Sequence, residues 1–110
     1  MTFNIKRGAT APAIAGIVRR RDGTVVDLSG ASAVFRMRLK NGKTVVDAPA
    51  LITDAAAGAV EYQWAVGDTD TVGVYQADFR ITLSTGKLLV LPVHSFITVT
   101  VYQDVEEAKS

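Results

Sequence analysis

The sequence predicts an all-β fold, an antiparallel β-sandwich of seven to nine short strands, and three observations indicate it. Apolar and polar residues alternate with a period of two, most clearly over residues 73–84, which read GVYQADFRITLS. Pairs of Gly with Asp, Asn, Ser or Thr separate the alternating segments, and such pairs are typical of turns. No segment has a convincing helical period, because Pro49 and Gly58 limit the alanine-rich stretch between them. A small β-barrel is the second fold that these patterns allow.

In the first half of the chain, four segments have strand-like patterns and short turns separate them. Pro12 breaks the pattern early, because proline restricts its own backbone and that of the preceding residue. Asp22-Gly23 and Asn41-Gly42 are strong signals for two-residue hairpin turns, and Ser29-Gly30 is a further turn. The strands predicted here cover residues 2–7, 13–20, 24–28 and 31–40.

The second half continues the alternation, and two prolines interrupt it. Pro49 interrupts the strand-like residues 43–53, whereas Pro92 marks an edge or a bulge because proline cannot donate to a β-ladder. Thr85-Gly86 is predicted to form another hairpin tip, and the last strand is rich in β-branched residues. The strands predicted here cover residues 43–46, 51–53, 60–64, 73–84, 87–91 and 95–102.

The segments 60–64 and 73–84 meet at a turn, and the rest of the sheet is expected to be built around them. They contain the only Trp and two of the three Tyr of the chain. Aromatic side chains bury the largest area per residue, so these segments are expected to anchor the core. The inward face of residues 31–40 adds further large apolar side chains. The predicted core is Phe35, Met37, Tyr62, Trp64, Tyr75 and Phe79.

The chain of 110 residues predicts one domain, because this length suffices for a single core. Within the domain 1–110 we expect residues 1–12 to form a short N-terminal arm and residues 104–110 a polar tail. The chain has no cysteine, which excludes disulfides and thiolate metal sites. No stretch approaches the ~20 apolar residues of a membrane helix, and residues 1–10 lack the apolar core of a signal peptide. We therefore expect no membrane partner.

Basic and acidic residues are distributed unevenly along the chain. Residues 1–43 carry nine Lys or Arg against two Asp, whereas residues 44–110 carry three Lys or Arg against nine acids. If strands of the two halves interleave, much of this charge cancels, and we favour this interpretation. Otherwise the molecule has opposite poles and could pair head to tail with copies of itself.

Five arginines concentrate the basic charge, and three interpretations apply to them. A solvated surface is favoured over a nucleic-acid patch, and pairing with acids of a neighbouring subunit is the third interpretation. The arginines are Arg19, Arg20, Arg21, Arg36 and Arg38.

No group of residues in the sequence predicts catalysis or a cofactor. His94 is the only histidine, and nothing in the sequence pairs it with a nucleophile. Asp68 and Asp70 suggest a cation loop, but the other ligands of an EF-hand are missing and turn chemistry explains them equally well. We therefore assign no catalytic, metal-binding or cofactor-binding residue, and we expect a protein that is not an enzyme.

Residues 73–77 (GVYQA) resemble the tyrosine corner of Ig-like domains. In that motif a Tyr near the start of a late strand hydrogen-bonds back to the preceding connection. Gly73 and Tyr75 would be the corner residues here, and Ala77 stands where antibody domains often have Cys. The resemblance is therefore to Ig-like architecture rather than to antibody domains, and it implies an Ig-like β-sandwich.

An ordered set of short motifs extends over residues 3–103 and resembles a known family. The set resembles small structural proteins of tailed bacteriophages, similar to the N-terminal domain of the phage baseplate upper protein family. The motifs are residues 3–8 (FNIKRG), 22–23 (DG), 26–31 (VDLSGA), 52–54 (ITD), 58–64 (GAVEYQW), 67–69 (GDT) and 73–75 (GVY).

The resemblance implies a β-sandwich module of the virion without catalytic activity, made in the cytoplasm of the bacterial host. Its position would be the tail or baseplate, the neck, or the capsid surface as a decoration. Its partners would be other virion proteins and copies of itself, contacted through the five arginines. Phe3 and Ile5 are two further possible assembly contacts, because residues 1–12 could lie across a neighbouring protein or add a strand to it. The alternative function is a carbohydrate-binding or adhesive surface module, for which Tyr102 is the obvious exposed aromatic residue.

Overall fold

The chain folds into eight β-strands in the computed structural model, which describes residues 2–20, 22–40, 42–92 and 96–103. The all-β prediction is confirmed, and no helix in the described part of the chain has the length and apolar character needed to cross a bilayer. Arg21, His94 and the predicted tail 104–110 lie outside the described residues. The strands are β1 (Thr2–Lys6), β2 (Ile14–Ile17), β3 (Ser32–Leu39), β4 (Thr44–Asp54), β5 (Ala59–Tyr62), β6 (Gly73–Thr82), β7 (Leu88–Leu91) and β8 (Ile97–Tyr102).

The strands form a large and a small sheet that share β4. Their order is β1-β8-β6-β3-β4-β5-β2, and β7 pairs with β6 beside this path. The first part of β4 pairs with β3 as far as Ala50, and the last part pairs with β5 from Leu51 onward. The large sheet thus contains β1, β8, β6, β7, β3 and the start of β4, and the small sheet contains the end of β4, β5 and β2.

One strand pair departs from the predicted antiparallel arrangement. β1 pairs with β8 in parallel, with Thr2 opposite Thr98 and Lys6 opposite Tyr102. Almost the whole chain separates these two strands, so no hairpin turn fixes their relative direction. The other strand pairs of the described residues are antiparallel.

Two predicted strand boundaries are wrong. Pro49 does not interrupt β4, where it lies opposite Val34 of β3. Proline is tolerated at this position because β5 joins β4 only from Leu51 onward, which leaves one side of Pro49 without a ladder. Residues 24–28 are not a strand either, because only an isolated bridge between Arg19 and Val25 forms there.

The hairpin connections also differ from the predicted two-residue turns. Leu83 N donates to Lys87 O (2.8 Å), which encloses a loop of residues 84–86 in which Gly86 has φ +88°. Leu39 N donates to Lys43 O (2.7 Å) around the Gly42 turn in the same way. A three-residue loop that ends on a left-handed glycine is the next most common hairpin connection after the two-residue turns.

Aromatic rings from both sheets meet in the core. Phe35 of β3 stacks on Tyr62 of β5, with ring centroids 4.6 Å apart and planes at 11°. The Trp64 ring packs edge-on against the Phe35 ring, with centroids 5.5 Å apart, and the Phe79 ring of β6 lies 5.2 Å from the Phe35 ring. The segments that meet at the 63–72 turn therefore lie in different sheets and face each other across the core. All six predicted core residues, Phe35, Met37, Tyr62, Trp64, Tyr75 and Phe79, are buried, which confirms that prediction.

Candidate assembly surface

The outward face of the large sheet carries the charged side chains of its two central strands. Arg36 and Arg38 of β3 lie in register with Asp78 and Gln76 of β6, and Arg80 is the next outward residue of β6. They point outward because the residues that alternate with them are buried. We call these residues, Arg36, Arg38, Gln76, Asp78 and Arg80, the charged face.

Contacts within the charged face cancel part of its charge. The Arg36 Nε atom lies 3.8 Å from Asp47 Oδ2 on β4, so an arginine of the basic half lies between acids of the acidic half. Arg38 Nη2 donates a hydrogen bond to Gln76 Oε1 at 3.2 Å. Exposed pairs of this kind each contribute about 0–1 kcal/mol to stability. These contacts therefore fix the positions of the charges on this face but contribute little to the stability of the fold.

Asp78 and Arg80 form the least satisfied polar contact of this surface. Asp78 Oδ1 lies 3.7 Å from Arg80 Nε, which is attractive but too long for a hydrogen bond. Both atoms are buried, and neither has a hydrogen-bond partner among the described residues. The ion pair therefore offsets only part of the free energy that removing these two atoms from water costs.

A shallow depression of about 190 Å³ opens in the charged face, and Phe96 is one of the residues that line it. The Phe96 residue is 40% exposed. Exposed aromatic and arginine side chains together are the composition that distinguishes the centre of protein–protein interfaces. Sequence reasoning missed Phe96, Asp78 and Arg80 as surface candidates. The alternation of β6 already pointed Asp78 and Arg80 outward, but only the strand register places them beside Arg36.

The arginines that follow β2 do not join the charged face. Arg19 and Arg20 lie in the hairpin beyond the small sheet, whereas Arg36 and Arg38 lie on the large sheet. Arg19 Nη1 donates to Gly23 O and Arg20 Nη1 to Val25 O, each at 3.1 Å. Both side chains thus bond to carbonyls of their own hairpin, and the four predicted arginines that the structure describes do not form a single patch.

Residues 2–12 pack against the rest of the chain. Ile5 is 4% exposed, and the partly buried Phe3 ring lies 5.8 Å from Trp64. In this conformation both side chains contact the core of their own chain, and their role as assembly contacts stays a prediction. Alternation places them inward because β1 adds to the edge of the large sheet.

Residues 8–12 are fastened to the connection between β5 and β6. Trp64 Nε1 donates to Pro12 O at 3.1 Å, and Gly8 N donates to Thr69 O at 3.0 Å. Thr69, 1% exposed, donates from its hydroxyl to Ala9 O at 2.8 Å. The sequence places Thr69 in a turn, and no local signal indicates a partner 60 residues away in the chain.

Tyr75 lies at the corner where the chain enters β6. Its hydroxyl donates to Thr71 O at 2.6 Å, back into the connection that precedes the strand. The ring also contacts Gly73, where an added Cβ would lie 3.7 Å from the ring atom Cε1. Burial raises the pKa of Tyr75 and so favours the protonated donor. A tyrosine corner has a hydrogen bond in this direction, and the corner role of Gly73 and Tyr75 stays a prediction.

Asp68 accepts hydrogen bonds within the same connection. Its Oδ2 atom accepts hydrogen bonds from the Tyr62 hydroxyl and, at 2.8 Å, from Ala65 N. Burial and then the Asp68 contact raise the pKa of Tyr62 to about 12. Among residues 2–20, 22–40, 42–92 and 96–103, no three His, Asp or Glu side chains are grouped so that they could hold a metal ion.

The Tyr62 hydroxyl gives a prediction for alkaline pH. Unfolded tyrosine titrates near pH 10, so a folded pKa of about 12 contributes stability that is fully present below pH 10 and is lost as the pH rises towards 12. We expect the free energy of unfolding in urea to fall over this window, and to fall less in Tyr62→Phe. Tyr102→Phe, which alters an exposed ring, is the control and should keep the wild-type slope. Equal slopes in wild type and Tyr62→Phe would contradict the prediction.

The fold and the charged face together define the class of this protein. The described residues form an all-β, sandwich-like fold in which polar side chains of the loops hydrogen-bond to other parts of the chain. Charged side chains lie on the outward face of the large sheet and in the hairpin after β2.

Comparison with protein families then places the chain within this class. The sequence model of the BppU N-terminal domain matches residues 16–105. The chain therefore belongs to the BppU N-terminal domain family, the N-terminal domains of the phage baseplate upper protein, as its ordered motifs indicate.

Comparison with solved structures supports the fold alone. The crystal structure of CopC from Methylosinus trichosporium OB3b is similar over 92% of this chain and 85% of that chain, with a TM-score of 0.50 and 17% sequence identity. No curated protein matches the sequence.

Proposed function

We propose that this protein is a non-enzymatic structural component of a tailed-phage virion that acts through protein–protein contacts. The match of the BppU N-terminal domain to residues 16–105 carries this proposal. Its position would be the baseplate or tail, with the neck and the capsid surface as other sites in the particle. Its partners would be other virion proteins and further copies of itself, after synthesis in the host cytoplasm.

The geometry supports a rigid module rather than one that orders on binding. The aromatic core joins both sheets, and the long connection between β5 and β6 is hydrogen-bonded at Thr69 and Asp68. A preorganised surface loses little conformational entropy when it docks. A module of this kind is suited to a position in a particle where many copies must present the same surface.

The charged face is the surface we propose for docking onto another virion protein. Arg36, Arg38 and Arg80 surround a single depression together with Phe96. Arginine can bind a carboxylate through two parallel hydrogen bonds, which gives geometric specificity as well as attraction. We propose that the partner presents acidic side chains to this face.

Charge reversal at Arg38 tests this docking surface. Arg38→Glu should fold with a Tm close to wild type, because its exposed contact to Gln76 contributes little. Its incorporation into particles should fall about tenfold, the effect of about 1.4 kcal/mol at an interface. Lys87→Glu changes the charge equally at an exposed position outside the charged face and serves as the matched control. Quantitative mass spectrometry of purified particles measures both, and equal incorporation of the two variants would exclude the charged face.

An adhesive or carbohydrate-binding role is the second proposal, and Tyr102 is the observation that favours it. Tyr102 is 48% exposed and lies in register with Lys6. Most other aromatic side chains belong to the core, which disfavours a stacking platform for sugars. Glycan-array binding that Tyr102→Ala abolishes would place this function first.

A further inference from the structure

β1 ends the large sheet with one of its edges open. Within the described residues, β8 is its only neighbouring strand, and Thr2, Asn4 and Lys6 are exposed. The opposite end of the strand order, at β2, is partly covered, since Val26 N donates to Val18 O at 2.9 Å in the segment that returns beside it. An open edge is a template for a further strand. The structure therefore offers β1 as the less protected of the two ends.

The hydrogen bonds to β8 show which backbone groups of β1 face the open edge. Arg7 N donates to Tyr102 O at 2.7 Å, so the backbone of Arg7 points towards β8. Because backbone direction alternates along a strand, Ile5 and Phe3 also point towards β8. The N–H and C=O groups of Thr2, Asn4 and Lys6 then point away from the sheet. Lys6 O accepts a bond from Ala9 N at 3.1 Å and retains a second lone pair.

We propose that β1 pairs antiparallel with β1 of a second copy, about a two-fold axis at Asn4, so that the large sheet continues across two molecules. This register makes Asn4 and its symmetry mate a hydrogen-bonded pair. It also places Thr2 of each copy opposite Lys6 of the other. The backbone N–H and C=O groups of Thr2, Asn4 and Lys6, which face the open edge, then all form hydrogen bonds with the second copy.

The side chains favour this arrangement over the parallel one. In the two-fold register Lys6 lies opposite a threonine, whereas a parallel pair would set Lys6 against Lys6 and repel. On the inner face the same register brings Phe3 opposite Ile5, which joins the two cores at their edges. β1 contains no proline and a single charged residue, so little in it opposes pairing.

This inference deepens the proposed function, on which it rests for its biological setting, by naming a second copy as one partner and β1 as the contact. The charged face stays free in such a pair, because β3 and the β1 edge are separated by β8 and β6. A pair would therefore present two charged faces to the rest of the particle.

Cysteine cross-linking tests the pairing directly, since the chain has no cysteine of its own. Hydrogen-bonded antiparallel pairs have Cα atoms about 5.5 Å apart, which is within the range of a disulfide. Asn4→Cys should therefore form a disulfide-linked dimer under mild oxidation of the full chain. Thr100→Cys, the neighbour of Asn4 on β8, is the matched control and should remain monomeric.

Sedimentation equilibrium provides the second measurement. The wild-type protein should shift with concentration from 11.7 kDa towards twice that mass. Asn4→Pro should remain at the monomer mass with its Tm retained, because the N–H it removes faces the open edge. A dimer that persists in Asn4→Pro would overturn the inference, as would equal cross-linking of the Asn4 and Thr100 variants. The Asn4→Cys protein could fail to form a disulfide-linked dimer and still be incorporated into particles. That outcome would leave the proposed function standing and exclude only the pairing of β1 with β1.

Discussion

Gly58→Ala is expected to destabilise the domain more than any other single-methyl addition to a described glycine. Gly58 has φ +68°, and an added Cβ would lie 2.8 Å from Val18 O and 2.9 Å from Val26 O. The left-handed conformation costs an L-residue about 1–2 kcal/mol, and overpacking against fixed backbone atoms costs about 1–3 kcal/mol more. Gly58 cannot move away, because Gly58 O also accepts a hydrogen bond from Val18 N at 2.8 Å. We expect a loss of about 3 kcal/mol, a large fraction of the stability of a domain this size.

Gly86→Ala is the matched control for Gly58→Ala. Its φ of +88° is equally left-handed, but nothing lies within 4 Å of the added Cβ. It therefore isolates the conformational cost, about 1 kcal/mol. Thermal unfolding should show a drop in Tm for Gly58→Ala about three times that for Gly86→Ala. Equal drops would mean that the close approach of Val18 and Val26 to Gly58 does not exist in solution.

Phe35→Ala is the second substitution with a large expected effect. Phe35 is fully buried and contacts the rings of Tyr62, Trp64 and Phe79, so its removal opens a cavity where the two sheets meet. Phenylalanine-to-alanine changes in protein cores cost about 3–5 kcal/mol. We expect the variant to unfold at much lower urea concentration, with tryptophan fluorescence reporting the changed surroundings of Trp64.

Phe96→Ala removes a phenylalanine ring from the surface instead of the core, and it serves as the control for Phe35→Ala. Because Phe96 is 40% exposed, we expect its loss to change the free energy of unfolding by about 1 kcal/mol or less. The same variant should weaken docking at the charged face, so it separates stability from assembly. A Phe35→Ala protein as stable as Phe96→Ala would contradict the aromatic core described above.

The core could be predicted from the sequence because alternation is a local property. The inward residues of β3 and β6 follow from a period of two, and large aromatic residues fill the space between facing sheets. The parallel pairing of β1 with β8 could not be predicted, since contacts between chain ends carry no local pattern. The uninterrupted course of β4 through Pro49 depends on which neighbour lies on each side of the strand, and the sequence does not state this.

The candidate surface was predictable only in part, for the same physical reason. Arg36 and Arg38 could be placed outward from alternation alone. Their neighbours Asp78 and Arg80 require the register between β3 and β6, which is set by contacts 36 to 50 residues apart in the chain. Phe3 and Ile5 looked like a free arm because Pro12 breaks the pattern after them. Their burial depends on a sheet edge formed by the far end of the chain.

Cryo-electron microscopy of the purified phage particle tests the central claim, that this domain is a structural part of the virion. We predict ordered density for an eight-stranded domain at a fixed, symmetric position, with its charged face against an acidic surface of another virion protein. A particle in which no density accommodates the domain, together with its absence from the particle by mass spectrometry, would contradict the claim and bring the adhesive function forward.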